Sequence, residues 1–280
     1  MILRVFPRRT NATPMDDYAY VGEPPMVLPE SIDEIHISVT FSWDLAEAER
    51  LHGLWSRVAP VKLGGPATGQ RGEDFVPGRY LRPGYVITSR GCPSNRCWFC
   101  SVPQREGNVV RELPVMDGNN VLDDNLLACS DAHVEKVFRM LLGQKKQGHG
   151  ILLTGGLEAA RLRNWHIEWF KVLRPQRMYF AYDTPDDLPA LEEAARLFCE
   201  AEYGTRQILN CYGLVGYPGD TMLAAEERMQ RIKRLGFTPM AMLYRDESNR
   251  QPSLEWRRFQ KAWARPAAIF ARNRDMRYLL

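Results

Sequence analysis

The sequence predicts an α/β protein built on a parallel sheet or open barrel, and two observations lead there. Short apolar runs alternate with amphipathic helical patterns through most of the chain. Polar or glycine-rich residues also recur directly after those apolar runs, the place where parallel α/β folds put their chemistry.

Composition bounds the rest. The chain has 280 residues, of which 45% are hydrophobic and 25% charged, ordinary values for a globular protein. Its net charge of +3 and pI near 8.5 neither demand nor exclude nucleic acid. The sequence has no apolar run of about 18 residues, so a membrane span is not expected. The start, Met1-Ile2-Leu3-Arg4-Val5-Phe6-Pro7-Arg8-Arg9, is too short and polar for a signal peptide. A cytoplasmic protein with no membrane partner is the resulting expectation. In a reducing compartment, clustered cysteines point to metal or catalysis rather than disulfides.

Residues 1–30 carry several prolines and little periodicity, and are expected to run as an extended lead-in. Then Ile35-His36-Ile37-Ser38-Val39-Thr40-Phe41 alternates like a strand, and residues 44–58 follow with helical spacing. Val61-Lys62-Leu63 reads as a second strand entering Gly64-Gly65-Pro66. This makes a small α/β unit over residues 1–75, resembling a βαβ element. Beyond it, strands are expected at residues 85–87, 120–122, 150–153, 178–181, 208–212 and 239–243. Helices are expected at 132–146, 165–173, 188–202 and 221–235. A barrel-like domain would thus cover residues 76–248, with a basic helical segment at 249–280.

Polar signals follow the strands in phase. Thr88-Ser89-Arg90-Gly91-Cys92 comes after the first and Asp123-Asp124-Asn125 after the second. Thr154-Gly155-Gly156-Leu157-Glu158 follows the third, Tyr182-Asp183-Thr184 the fourth, and Gly213 to Asp220 the fifth. Asp124 and Asn125 offer an acceptor and an amide for a cofactor's ammonium or a substrate, or else a helix cap or turn. Gly155 and Gly156 permit close backbone approach, and Glu158 can pair with an amino group. Asp183 stands where ribose or carboxylate contacts would fall, and Gly216 lies in a glycine-permissive loop that also suits a plain turn.

Cys92-Pro93-Ser94-Asn95-Arg96-Cys97-Trp98-Phe99-Cys100 puts three thiols within one tight loop. Thiolates are the ligands of iron–sulfur chemistry, and three of them would leave one iron of a four-iron cluster open. Structural zinc would want a fourth ligand, and the next histidine is His133. A redox pair of Cys97 and Cys100 is the other reading, with Cys92 then idle. Trp98 and Phe99 would shield a cluster from water. Among the remaining cysteines, Cys199 and Cys211 read as core residues, and Cys129 as the scattered thiol placed to face a cavity. His36 and His133 read as ordinary surface or strand-edge residues outside any triad.

The run Thr88-Ser89-Arg90-Gly91-Cys92-Pro93 to Cys97-Trp98-Phe99-Cys100-Ser101-Val102-Pro103 resembles the cluster loop of the radical S-adenosylmethionine superfamily. The closest likeness is to its cobalamin-associated branch, and it covers roughly residues 80–245. The resemblance implies a partial (β/α)6 TIM-like barrel. It also implies a [4Fe–4S] cluster on Cys92, Cys97 and Cys100, with Phe99 beside the adenine of S-adenosylmethionine and Gly213 to Gly219 lining it. A flavodoxin or ferredoxin would serve as reductant. The chain reads C-x4-C-x2-C where the superfamily reads C-x3-C-x2-C, so one residue among Pro93, Ser94, Asn95 and Arg96 is extra. The Asp-x-His-x-x-Gly element of cobalamin binding is missing around Gly64-Gly65, so no cobalamin is expected.

The segment after Arg250 interleaves Arg257, Arg258, Lys261, Arg265, Arg272, Arg274 and Arg277 with Trp256, Phe259, Trp263 and Phe270. It suits a closing helix with solvated arginines better than an RNA contact. The competing function is a nucleic-acid-binding protein, without catalysis, carrying a structural Cys-rich metal loop and using that tail as its contact surface.

Overall fold

Ile2–Phe6 (β1) is a five-residue, mostly apolar stretch ended by Pro7, which has no N–H to continue a ladder. In the computed structural model, which describes residues 1–71, 74–94, 97–203, 209–246, 251–264 and 269, this strand is internal to a parallel sheet. The chain divides into two compact units, Met1–Asp124 and Asn125–Leu280. It is α/β, with parallel sheets and seven α-helices among the described residues.

In the first unit β1 pairs in parallel with Ala19–Val21 (β2) and with Glu34–Ser38 (β3). After β3, helix Leu45–Trp55 (α1) leads to Val61–Gly64 (β4), giving the strand order β2-β1-β3-β4. Alternation sends Leu3, Val5, Ile35, Ile37 and Val39 into one core with Ala48, Leu51 and Trp55 of α1. Register sets Arg4, His36 and Lys62 side by side on neighbouring strands. The expectation of an extended lead-in over residues 1–30 is therefore corrected: β1 and β2 are sheet strands. A strand buried on both faces reads as a near-continuous apolar run, and five residues give no period to detect. The prolines that suggested a lead-in (Pro7, Pro14, Pro24, Pro25) all lie between strands.

The same unit contains Tyr85–Val86 (β5), Ser89–Arg90 (β6), helix Val102–Glu106 (α2), Arg111–Glu112 (β7) and Asn120–Val121 (β8). β5 and β8 are parallel, while β6 and β7 form an antiparallel pair that hydrophobic patterning does not signal. The cysteine loop is the excursion between β6 and β7.

The second unit runs helix Asp131–Lys146 (α3), Leu152–Leu153 (β9), Asn164–Leu173 (α4), Arg177–Ala181 (β10), Leu188–Glu200 (α5), Leu209–Val215 (β11), Met222–Arg234 (α6), Thr238–Leu243 (β12) and Leu254–Trp263 (α7). The parallel order is β12-β11-β10-β9. These elements fall where periodicity puts them. β9 is shorter than residues 150–153, and β11 continues three residues past Tyr212; Ile208 lies outside the described residues. Ser130, Thr221 and Ser253 cap α3, α6 and α7 by accepting the N–H of His133, Ala224 and Trp256. Gly213 lets α6 close on β11, because a Cβ there would stand 2.1 Å from the Met229 Cε. Phe180, Phe198 and Phe237 interlock as edge-to-face pairs in the core. Among the described residues, no helix is long and apolar enough to cross a membrane.

Leu3 is fully buried in the first-unit core, whereas Val27 is 83% exposed. Leu3→Ala is expected to lower unfolding free energy by about 2–5 kcal/mol. Val27→Ala should change it by less than about 0.5 kcal/mol, both read by urea denaturation.

Candidate functional site

The cysteine loop is fixed at its root by a buried carboxylate. Asp123, just past β8, accepts from the Thr88 N–H at 2.6 Å, the Thr88 hydroxyl at 2.6 Å and the Ser89 hydroxyl at 2.7 Å. Burial pushes the Asp123 carboxyl up from its ordinary range, and the Thr88 and Ser89 hydrogen bonds oppose that shift. One residue on, Asp124 accepts the Gly91 N–H at 3.0 Å. Burial also raises the Asp124 carboxyl, against the Gly91 hydrogen bond and the Arg105 charge. Gly91 has φ of +89°, and a Cβ on it would meet the Val109 carbonyl oxygen at 2.5 Å, so only glycine fits this entry to the loop. The Cys92 N–H then donates to the Gly107 carbonyl at 3.2 Å and closes the loop's base.

Inside the loop the Cys100 N–H donates to the Cys97 carbonyl at 2.9 Å, and the Cys97 sulfur lies 3.6 Å from the Ser94 hydroxyl. The Val102 N–H donates to the Cys100 sulfur at 3.5 Å. Burial raises the Cys100 thiol, with the negative charges of Cys92 and Asp124 adding to the shift. Cys92, Cys97 and Cys100 form no disulfide and are partly exposed. They are not drawn into a ligand group: among the described residues no three His, Cys, Asp or Glu side chains are arranged to hold a metal ion. Trp98 is 56% exposed and meets Phe99 edge-on at 5.5 Å, so as the loop stands the indole shields little from water. The extra residue of the C-x4-C spacing belongs to a stretch whose residues 95–96 lie outside the described residues.

A charged cluster supports the loop, and Arg105, Glu106 and Arg111 within it escaped the sequence reading. Arg90 and Arg111 are direct cross-strand partners of β6 and β7, an arrangement of like charges that is unfavourable by itself. Glu106, 3% exposed, offsets it: its carboxylate lies 3.3 Å from Arg90 and 3.4 Å from Arg111, with the Arg105 Nε at 3.8 Å. Arg105 also reaches Asp124 at 4.0 Å. The one available signal was compositional, two arginines and a glutamate closely following the last cysteine.

In the second unit Asn125 is buried and its amide donates to Glu158 at 2.7 Å; Glu158 also takes Arg161 at 2.6 Å. The Leu126 N–H donates to the Gly156 carbonyl, so Gly155, Gly156 and Glu158 are gathered beside Asn125. Asp183 accepts the Leu214 N–H at 2.8 Å. Burial, reinforced by Asp187, pushes the Asp183 carboxyl up to about 7. Gly216 has φ of +76° and donates its N–H to Asp220, whose carboxylate is also held by Arg228 at 2.9 Å. The Trp256 indole of α7 lies against Gly216. Asp220 and Arg228 are further residues the sequence reading did not single out.

Several expectations change. Cys211 is fully buried as foreseen, but Cys199 is exposed: Phe198 already completes the buried face of α5, and the next residue turns outward. Cys129 is buried. His133 is buried on α3 rather than at the surface. His36 does sit in a triad-like setting, bonded to Tyr80 and Glu34. Of the basic tail, Arg257, Arg258 and Lys261 lie on α7, whereas Arg265, Phe270, Arg272, Arg274 and Arg277 lie outside the described residues.

No protein-family model matches the chain, and no curated protein matches it either.

Asp123→Ala should cost at least about 3 kcal/mol in urea unfolding, since it strands one buried N–H and two buried hydroxyls. For Asp183 the folded carboxyl titrates near 7 and the unfolded one near the ordinary 3.8. Between those values the folded state binds more protons, so its contribution to stability is full below pH 3.8 and is lost as pH rises through 7. Unfolding free energy should decline across that window, and Asp183→Asn should flatten the decline.

Proposed function

We propose that the chain is a radical S-adenosylmethionine enzyme that binds a [4Fe–4S] cluster through Cys92, Cys97 and Cys100. The observation that carries the reading is the cysteine loop itself. Three cysteines, none in a disulfide, stand on one excursion closed by the Cys92–Gly107 hydrogen bond and anchored at the end of β5 by Asp123. The donor set suits iron–sulfur chemistry: only thiols, with a backbone N–H already directed at one sulfur. The thiols do not form a ready-made ligand group, so cluster assembly would have to draw them together.

Bound there, the cluster would supply one electron to S-adenosylmethionine on its open iron and release a 5′-deoxyadenosyl radical. The chain's own residues hold the surroundings. Asp123 and Asp124 fix the loop root through backbone N–H groups, and Glu106 keeps Arg90, Arg105 and Arg111 beside it. Those arginines oppose the negative charge that thiolate ligands bring. Phe99 is proposed to lie beside the adenine. Asp124, Asn125, Gly155, Gly156, Glu158, Asp183 and Gly216 are proposed as further cofactor contacts. The frame proposed for this is a partial (β/α)6 barrel, supported by parallel strands alternating with helices in the second unit. A flavodoxin or ferredoxin is proposed as electron donor, and the cytoplasm as the place of work.

Anaerobic reconstitution with iron and sulfide is expected to give a brown protein absorbing near about 400 nm. With dithionite and S-adenosylmethionine it should form 5′-deoxyadenosine. Cys92→Ala, Cys97→Ala or Cys100→Ala should each abolish both colour and product, while Cys199→Ala retains them. A colourless chain that keeps stoichiometric zinc would instead favour a structural metal loop.

A further inference from the structure

The polar face of the first-unit sheet carries a hydrogen-bonded chain of three titratable groups. His36 Nδ1 lies 2.6 Å from the Tyr80 hydroxyl, and His36 Nε2 lies 2.8 Å from Glu34 Oε2. The other Glu34 oxygen takes Lys62 at 2.6 Å. Glu34 and His36 are two apart on β3, and Lys62 is the register partner of His36 on β4, so the pleat sets all three on one face. Arg4, the register partner of His36 on β1, donates to the carbonyls of Gly78 and Arg79 at 2.8 Å each and is ion-paired with Asp16. It thereby holds the segment that presents Tyr80. The Arg79 guanidinium stands 5.6 Å from the centre of the Tyr80 ring.

The roles within the chain follow from the acceptors. Lys62, and then His36, hold the Glu34 carboxyl below its ordinary range, so Glu34 is an acceptor only. Nε2 must then be the donor, and in neutral imidazole Nδ1 is left to accept the phenolic proton. This is a hydroxyl–imidazole–carboxylate arrangement with a phenol in the hydroxyl position.

We propose that Tyr80, His36 and Glu34 form a second reactive site, distinct from the cysteine loop, in which Tyr80 is a nucleophile toward activated carboxylic esters. The Tyr80 oxygen bonds to the acyl carbon as the carbon–oxygen bond to the leaving alkoxide or phenoxide breaks. The phenolic proton passes to His36 Nδ1, which hands it to the departing alkoxide or phenoxide and so returns to the neutral base, and Glu34 stabilises the transient imidazolium through Nε2–H. Arg79 opposes the charge on the developing phenolate. Water, deprotonated by His36, then hydrolyses the aryl ester and restores the phenol. No part of this rests on the metal reading of the cysteines.

The test is acetylation of the full chain by p-nitrophenyl acetate, with release of nitrophenolate followed and the acetyl group located by peptide mass spectrometry. Tyr18, 46% exposed, is the internal comparison. Tyr80 should acetylate about 100-fold faster than Tyr18 at pH 7.5, within the range a positioned base provides. Its pH–rate profile should reach a plateau, as catalysis by a positioned base does, while the Tyr18 rate goes on rising with hydroxide. H36Q should remove the advantage, E34Q should reduce it, and Y80F should abolish the early release. Thermal unfolding of each variant checks that the sheet is intact. Should H36Q not fold, the contrasting pH profiles in the unaltered chain decide the matter. Tyr80 reacting no faster than Tyr18, or following the same pH profile, overturns the proposal.

Discussion

The geometry of the cysteine loop depends on one buried carboxylate. Asp123 collects a backbone N–H and two hydroxyls from Thr88 and Ser89, joining the end of β8 to the stretch that enters the loop. Without that anchor β6 would be a two-residue strand paired only with a two-residue β7. So short a ribbon has no independent stability. Anchored, it gives Gly91 a fixed place from which to turn, and Asp124 secures the turn by taking its N–H. The burial that lifts the Asp123 carboxyl is the cost of this arrangement, and three short hydrogen bonds offset part of it.

The same device recurs after other strands. Asp183 takes the Leu214 N–H, and Asp220 takes the Gly216 N–H while Arg228 holds its carboxylate. Acidic residues after parallel strands are thus already engaged in fixing the next loop's backbone. This alters how the polar pattern along the chain is understood. Its phase with the strands reflects loop construction at least as directly as ligand binding. Asn125 and Glu158 are likewise committed to each other, so a ligand amino group at Glu158 would compete with the Asn125 amide and Arg161.

The helices and strands of the second unit were legible because each helix has a long amphipathic period and each strand an apolar run bounded by turn residues. The N-terminal strands were not, since Ile2–Phe6 is short and buried on both faces, and Ala19–Val21 has only three residues. From the sequence alone the loop was legible as three thiols gathered within nine residues. Its support was not: Arg90, Glu106 and Arg111 meet only because an antiparallel pair brings residues about twenty apart into register. Cys199 was misplaced because a helix rich in Leu and Ala does not reveal which side of Phe198 faces out. His36 was passed over because its partners Glu34 and Tyr80 become neighbours only through the strand pleat and a tertiary approach from residue 80.

The central claim is that the loop holds a cubane cluster with one iron open to S-adenosylmethionine. Low-temperature electron paramagnetic resonance of the dithionite-reduced, reconstituted chain, recorded with and without S-adenosylmethionine, tests it most directly. The account predicts a spin-½ [4Fe–4S]+ signal whose shape changes when S-adenosylmethionine is added, and which is lost in Cys97→Ala. A reduced cluster signal indifferent to S-adenosylmethionine, or no cluster signal after full iron and sulfide loading, would contradict it.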